Sequence, residues 1–305
     1  MNLAPVALFV YARPEETART IESLKKNFLA TETILFIFSD GARNEKDLPL
    51  VEEVRKLIRN VNSGFYDVHI IEREKNLGLA NSIITGVTHI LGQFEKIIVI
   101  EEDLISSPNF LNYMNEGLKF YKDNTKVFSV TGYTYQLKIP NDYKFDNYFT
   151  PRCESLGWGT WSNRWFKVDW DLKNFKDFIV NRRLRQKFDS VGADLLAMLL
   201  KQQIGILDSW AVRWCYAHFQ NNAFCSYPIK SKIVHIGVGG LATHVKSKNK
   251  ILETELDDEL KTKFLFSDEI FLDERIMNQY KKMFRKKIMN RLRTLYYRFQ
   301  YLRKR

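Results

Sequence analysis

IIVIEEDLISSP, residues 97–108, sets four β-branched apolar residues directly against three carboxylates. Ile97, Ile98, Val99 and Ile100 form a continuous apolar run of the kind that fills a strand buried on both faces of a parallel sheet. Carboxylates inside such a sheet are costly unless compensated. The run therefore predicts a strand that ends at Glu101, Glu102 and Asp103, with the acids at its carboxyl edge, where open α/β sheets bind ligands. Strand alternation places Glu101 and Asp103 on one side and Glu102 on the other. An acid-x-acid pair in that position suits a hard divalent cation, and through it a diphosphate. Beyond the acids, Ser106 or Ser107 is expected to cap a helix whose first residue is Pro108 and whose buried stripe is Phe110, Leu111, Met114 and Leu118.

Upstream of this strand the pattern alternates between strand and helix. VALFVY (6–11), TILFIF (33–38) and VHII (68–71) read as strands, and VFSV (127–130) as a fifth after the acidic segment. Helical spacing lies between them, through Ile21, Leu24 and Phe28, through Val51, Val54 and Leu57, and through Leu79, Ile83 and Val87. The alternation predicts an α/β fold with a mostly parallel sheet flanked by helices. After residue 131 tyrosine and tryptophan become dense, helices are expected near 175–204 and 209–220, and short strands around 223–236. The expected division is a nucleotide-binding half over 1–130, an acceptor half of the same domain over 131–250, a connecting segment over 251–280 and a tail over 281–305.

The chain has 305 residues and a formal charge of +11, and all of the excess lies in the tail. Residues 281–305 hold eleven Lys or Arg and no acid; removing these from the chain's 47 leaves 36 basic residues against 36 acids. Phe284, Ile288, Leu292, Leu295, Phe299 and Leu302 recur at helical spacing within it, which predicts a basic amphipathic helix lying on an anionic membrane surface. Three cysteines without metal-type spacing argue against a disulfide scaffold and for a reducing compartment. With a first strand starting almost at Met1 and no run of eighteen apolar residues, the expectation is a cytoplasmic protein, peripheral on the inner face of the membrane.

Further candidates sit at the other strand ends. Arg13 in YARPEET (11–17) faces a diphosphate or solvent. Asp40 in FSDGAR (38–43), with Gly41 after it, suits a nucleoside contact or an Asx turn. In EKNLGLANSI (74–83), Gly78 allows close backbone approach and Asn76 supplies an amide. Asp208 opens DSWAVRW as a helix N-cap and is also a candidate general base, with Asp194 and Glu154 as contenders. HIGVGGLATH (235–244) offers a glycine-rich loop and, in His244, a neutral imidazole for a metal. In CESLGWGTWSNRW (153–165), Trp158 and Trp161 are candidates for stacking on sugar faces or for core packing.

Taken together, these strand-end motifs resemble those of GT-A-fold glycosyltransferases. VIEEDLISSPNFLNYM is similar to the acid-Asp-Asp segment of N-acetylglucosaminyltransferase I-like and bacterial family 2-like sugar transferases. The resemblance spans about residues 4–130 well and 131–245 loosely. It implies an inverting, metal-dependent transferase that moves a sugar from a nucleoside-diphosphate donor, UDP above all, to a hydroxyl of a glycan or lipid-linked acceptor. It further implies Mn²⁺ or Mg²⁺ on Asp103 and His244, donor contacts from Arg13, Asp40, Asn76, Gly78, Glu101 and Glu102, acceptor contacts from Trp158 and Trp161, and Asp208 as base. No nucleic-acid partner is expected from it. The competing readings are a sugar nucleotidyltransferase, whose early glycine-rich loop VALFVYARPEET lacks, and a non-enzymatic membrane- or RNA-binding protein acting through the tail.

Overall fold

A computed structural model describes residues 3–190, 192–237, 254–284 and 288–303. Strands β1 (Val6–Val10), β2 (Ile34–Ser39), β3 (Asp67–Glu72) and β4 (Lys96–Glu101) lie in the order β3-β2-β1-β4, all parallel. Leu8 sits between Ile37 and Ile100 in register, so the apolar runs read from the sequence are the sheet's centre. Helices α1 (Pro14–Lys25), α2 (Leu48–Arg59) and α3 (Leu79–Leu91) make the crossovers. Parallel neighbours require such crossovers, and these place apolar helix faces on both sides of the sheet.

After β4 come a short strand β5 (Leu104–Ser106), helix α4 (Phe110–Phe120) and strand β6 (Val127–Thr131). β6 is a strand, as expected, but it is not β4's neighbour. β8 (Trp158–Trp161) inserts between them, antiparallel to both, followed outward by β9 (Phe224–Pro228) parallel to β6 and by β7 (Asn147–Thr150) antiparallel to β9. Gly159 permits the insertion, since a Cβ there would lie 2.8 Å from the Ile97 carbonyl oxygen. A separate two-stranded ribbon pairs β5 with β10 (Ile233–His235).

Several local expectations are corrected. α4 starts at Phe110 with Asn109 at its N-cap, and Ser107 Oγ donates to Asn109 Oδ1 at 2.7 Å instead of capping the helix itself. Pro108 lies outside. The Asn109 amide is turned away to donate to the Asp257 carboxylate and to the carbonyls of Glu259 and Lys261, which ties the 254–284 segment across α4. The helix expected over 175–204 is three: α6 (Phe175–Val180), α7 (Arg182–Asp189) and α8 (Leu195–Gln203). Asn181 makes the first break, with extended backbone and a side chain that accepts from the amides of Arg183 and Leu184; an asparagine bonding forward in this way ends one helix and caps the next. A single turn, α5 (Ser162–Trp165), precedes these, and α9 (Trp210–Gln220) follows.

The connecting segment and the start of the tail form α10 (Glu274–Met283), and the rest of the tail forms α11 (Ile288–Arg303). Phe284 does not join the α11 stripe; its ring takes the Arg152 guanidinium at 3.9 Å and packs against Tyr135 and Tyr280. α11 packs on α8 through the face that carries Thr294 and Tyr301, both buried. Leu292, Leu295 and Phe299 of the sequence-read stripe point outward and are 60–65% exposed. No helix among the described residues is long and apolar enough to cross a membrane.

The aromatic richness of the second half fills the core on one side of the sheet. Trp158 lies 4.9 Å from Trp210 and 5.8 Å from both Trp165 and Trp214, ring centroid to centroid. His218 is fully buried beside this cluster, with Nε2 2.8 Å from Ser129 Oγ and Nδ1 2.9 Å from the Trp214 carbonyl. Burial lowers its pKa from 6.5 to about 4. A folded-state pKa below the unfolded one means the contribution is complete above the unfolded value and drains away as pH falls toward the folded one. Acidification from pH ~7.5 to ~5 should therefore remove about 2 kcal/mol through His218, and His218→Gln should lose that component in urea unfolding at the two pH values.

Candidate active site

Four strand ends and two later loops converge on a cleft of about 620 Å³. Its floor comes from the residues just past β1 (Tyr11, Ala12, Arg13) and β2 (Asp40), and from the last residue of β4 and the two after it (Glu101, Glu102, Asp103). The apolar strands end where these polar side chains begin, so the sheet itself delivers them to one edge.

β4 stops at Glu101, and the chain turns at Glu102 and Asp103. This overturns the expected alternation, because Glu102 and Asp103 now meet the same guanidinium. Arg13 Nη1 donates to Asp103 Oδ2 at 2.6 Å, and Arg13 Nε lies 3.4 Å from Glu102 Oε1. His235 Nε2 approaches the same Asp103 oxygen at 3.3 Å. The ribbon explains this: β10 pairs with β5 so that His235 stands opposite Leu104, and the Ile236 amide donates to the Asp103 carbonyl at 2.8 Å. Gly237 must be glycine here, since a Cβ would lie 2.2 Å from Asp103 Oδ2.

The three acids are electrostatically unequal. Burial, with repulsion from its acidic neighbours, raises Glu101 to about 8. Burial also raises Glu102 to about 8, against the pull of Arg13. Asp103 is buried too, yet His235 and Arg13 outweigh the desolvation and hold it below the usual carboxylate range. Asp103 is thus the anionic member of the cluster at neutral pH.

Among the described residues no group of three or more His, Cys, Asp or Glu side chains converges to cage a cation. Asp103 and His235 nevertheless bring one carboxylate oxygen and one imidazole nitrogen together at the cleft. Such a pair fits Mn²⁺ or Mg²⁺ where phosphate oxygens and water complete the ligand set. His244 lies outside the described residues. His235, from the same HIGVGGLATH segment, is the histidine that the ribbon sets beside Asp103.

The donor-side candidates come together as a clamp between loops. The Asp40 carboxylate accepts from the amides of Leu77 at 3.0 Å and Gly78 at 3.1 Å, and burial raises its pKa. Asn76 Nδ2 donates to the Gly41 carbonyl at 2.7 Å. Gly41 is required by this approach, because a Cβ would sit 2.6 Å from the Lys75 carbonyl carbon. Asp40 is therefore no Asx turn: it fixes the loop that opens α3. Gly78, at φ +74°, turns that loop back into the helix.

Asp208 is not the cap of α9. Ser209 is, accepting from the Val212 amide. The Asp208 side chain stays 58% exposed on the cleft wall, 3.5 Å from Arg213 Nη2, and a Cβ on Gly78 would lie 3.8 Å from its Oδ2. Of its contenders, Asp194 is held by Arg152 through two bonds of 2.9 and 3.0 Å. Glu154 does line the cleft, but it accepts from Tyr135 Oη at 2.6 Å and from the Ser155 amide at 2.9 Å, and burial raises its pKa.

Trp158 and Trp161 do not face the cleft. They alternate along the core strand β8 at 0% and 3% exposure, Trp161 Nε1 donates to the Leu118 carbonyl, and Arg164 covers its ring at 4.5 Å. Core packing supersedes the sugar-stacking expectation. Trp158→Ala should lower the unfolding free energy by about 3–5 kcal/mol in denaturant titration, rather than raise KM for an acceptor selectively. The apolar wall of the cleft is built instead by Leu156, Ile206, Leu207 and Trp210. Sequence reasoning also missed Arg43, which lines the cleft and is linked through Asp47 to the Tyr11 hydroxyl; no spacing signal joins the three.

The sequence profile described as glycosyl transferase family 2 matches residues 6–185 of the chain. No curated protein sequence matches at a significant level. Among solved structures, that of S. aureus TarS 1–349 is similar at 11% identity and a TM-score of 0.39, over 75% of this chain and 59% of that one. GalNAc-T7 with UDP, GalNAc and Mn²⁺ is similar at 13% identity and a TM-score of 0.46, over 82% and 47%. The galactosyltransferase LgtC in complex with donor and acceptor sugar analogs is similar at 8% identity and a TM-score of 0.39, over 73% and 72%. The chain thus spans about half to three quarters of the length of each of these neighbours. With the profile covering more than half of the residues, this chain belongs to glycosyl transferase family 2.

Proposed function

We propose that the enzyme moves a sugar from a nucleoside-diphosphate donor, UDP-linked in the first instance, to a hydroxyl of a glycan or lipid-linked acceptor with inversion at the anomeric carbon. The observation that supports this most is that one cleft holds the Arg13–Asp103–His235 cluster together with the exposed carboxylate of Asp208. An acceptor alcohol is a weak nucleophile until a base takes its proton. Asp208 accepts that proton, the acceptor oxygen bonds to the anomeric carbon, and the bond from that carbon to the diphosphate oxygen breaks. A single displacement of this kind inverts the configuration.

Asp103 and His235 would hold Mn²⁺ or Mg²⁺, which supplies positive charge beside the leaving diphosphate. Arg13 adds a fixed positive charge at the same place. Glu101 and Glu102, neutral or paired with Arg13, present hydrogen-bonding groups to the donor without adding to the negative charge there. Asp40, Asn76 and Gly78 hold the loop edge against which the nucleoside lies. The basic tail is proposed to keep the enzyme at the inner face of an anionic membrane, near lipid-linked substrate.

The direct test is transfer and hydrolysis with a panel of UDP-, GDP- and TDP-sugars, alongside thermal shift with each nucleotide with and without Mn²⁺. A UDP-dependent shift enhanced by Mn²⁺, with turnover of a UDP-sugar, is expected. Binding of none of the three nucleotides would sink the donor assignment.

A further inference from the structure

We infer that Asp257 is a positioning residue for the reaction: paired with Lys232, it fixes the register of β10 on β5 and so delivers His235 to Asp103. This rests on the proposed meeting of Asp103 and His235 with a cation, and it gives a task to a segment whose sequence reads only as a connector.

The ribbon that carries His235 is too small to set its own register. β10 has three residues and pairs with β5 alone, Ile233 opposite Ser106, Val234 opposite Ile105 and His235 opposite Leu104. A lone two-stranded ribbon is marginal in water. Side chains alternate along a strand, so a slip of one residue would turn the imidazole away and bring Val234 or Ile236 to its place. The cleft floor tolerates no such slip, because His235 Nε2 must stand 3.3 Å from Asp103 Oδ2. The register therefore has to be held from outside the ribbon.

It is held at the residue before β10. The Lys232 amide donates to the Gly132 carbonyl, just past β6, at 2.6 Å, and its carbonyl accepts from the Ser107 amide, just past β5, at 2.9 Å. Its side chain turns inward, with the ammonium 5.8 Å from the Tyr113 ring and 5.1 Å from that of Phe264, and ends on the Asp257 carboxylate. The pair is cut off from water, with side-chain exposures of 6% and 0%. Asp257 is held in turn. Its amide donates to the Ser231 carbonyl at 2.6 Å, its Oδ2 accepts from Asn109 Nδ2 at 3.0 Å, and its Oδ1 accepts from the Glu259 amide at 3.2 Å. Asn109 is the N-cap residue of α4, the helix that follows β5. Both strands of the ribbon are thus tied to one carboxylate, β5 through Asn109 and β10 through Lys232.

A buried ion pair is a poor source of stability, because desolvation offsets most of the attraction. What it supplies here is uniqueness of register. If β10 slipped, Lys232 would leave Asp257 and both charges would be stranded away from water, a penalty that the contacts of a three-residue strand cannot offset. An apolar side chain at 232 would pack against Tyr113 and Phe264 in either register and would select neither. The direction of effect is therefore from Asp257 to Lys232, from Lys232 along β10 to His235, and from His235 to the Asp103 carboxylate.

Asp257→Asn alone would strand the Lys232 ammonium and is expected to unfold the chain. The test therefore replaces both partners in the full chain, Lys232→Met with Asp257→Leu, which removes the charges and keeps the space filled. Two readouts follow His235. The first is Mn²⁺ affinity of the metal-free protein mixed with UDP, from the paramagnetic resonance of free Mn²⁺. The pair variant should keep a cooperative thermal transition and lose about tenfold or more in affinity, as His235→Gln does, and combining the two should lose nothing further. The second needs no metal: carbethoxylation of His235, mapped by mass spectrometry, with His69 (48% exposed) as internal reference. Modification should be slow in wild type, where the ring is 10% exposed, and several times faster in the pair variant. A folded pair variant in which either readout stays at the wild-type level overturns the inference. So does a loss of affinity that adds in full to that of His235→Gln, or a pair variant that does not fold, since the pair would then support the fold and not the register. Wild-type protein that binds no Mn²⁺ with UDP strikes the cation reading instead, and the modification rates still decide the role of Asp257.

Discussion

Asp208→Asn lowers kcat by about 10²–10⁴ with little change in the donor KM, the range expected when a general base is removed. The substitution is unusually clean here. Ser209 caps α9, so the helix does not depend on the Asp208 carboxylate. The side chain is more than half exposed and its one described ion pair, to Arg213, is 3.5 Å long, so stability should change by less than about 1 kcal/mol. Asn keeps the shape and loses the ability to accept a proton. Ser209→Ala is the matched control: it should cost about 1 kcal/mol of stability and leave turnover per folded molecule near wild type. Steady-state kinetics with donor and acceptor varied separately, together with urea unfolding, read both outcomes. If Asp208→Asn keeps wild-type kcat, the base lies elsewhere, and Glu154, which also lines the cleft, is the next carboxylate to substitute.

The parallel half of the fold was legible because its signal is local. Continuous apolar runs give β1, β2 and β4 within a residue or two, and the amphipathic stretches between them can only be crossovers. The same logic put acids at the mouth of β4. What failed depends on long-range pairing. Nothing near Trp158 shows that residues 158–161 enter the sheet next to β4, so Trp158 between two glycines, with Trp161 close behind, reads equally well as a loop; the insertion turns both into core. His235 was in view as part of HIGVGGLATH, but its neighbour Asp103 is set by the β5–β10 register, over a hundred residues apart in sequence. Asp208 was singled out for a cap that Ser209 provides, because an Asp-Ser pair before a helix does not say which residue takes extended backbone. The tail stripe was read as one helix from Phe284 to Leu302, but Phe284 lies before α11 and faces inward onto Arg152, while Leu292, Leu295, Phe299 and Leu302 face out.

Asp103→Asn should cost about 10²–10³ in kcat, comparable to the loss of one preorganised charge partner at a developing anion. The argument starts from the imbalance in the acid cluster. Glu101 and Glu102 are pushed up to about 8, so at neutral pH Asp103 supplies the dependable negative charge. It holds Arg13 by the 2.6 Å bond and faces His235 at 3.3 Å. The amide fills the same space, so the fold should survive. It attracts a cation far less, and it leaves Arg13 to lean on Glu102 alone. Two effects are separable by adding a chelator. If cation binding dominates, wild type falls toward the variant's rate when Mn²⁺ and Mg²⁺ are removed, and the variant loses little more. If orientation of Arg13 dominates, the chelator slows neither, and Arg13→Lys reproduces most of the loss, because a lysine cannot reach Glu102 and Asp103 together as the guanidinium does. Wild-type turnover in Asp103→Asn would reduce the carboxylate to a structural partner of Arg13, and the catalytic assignment of the acidic cluster would fall with it.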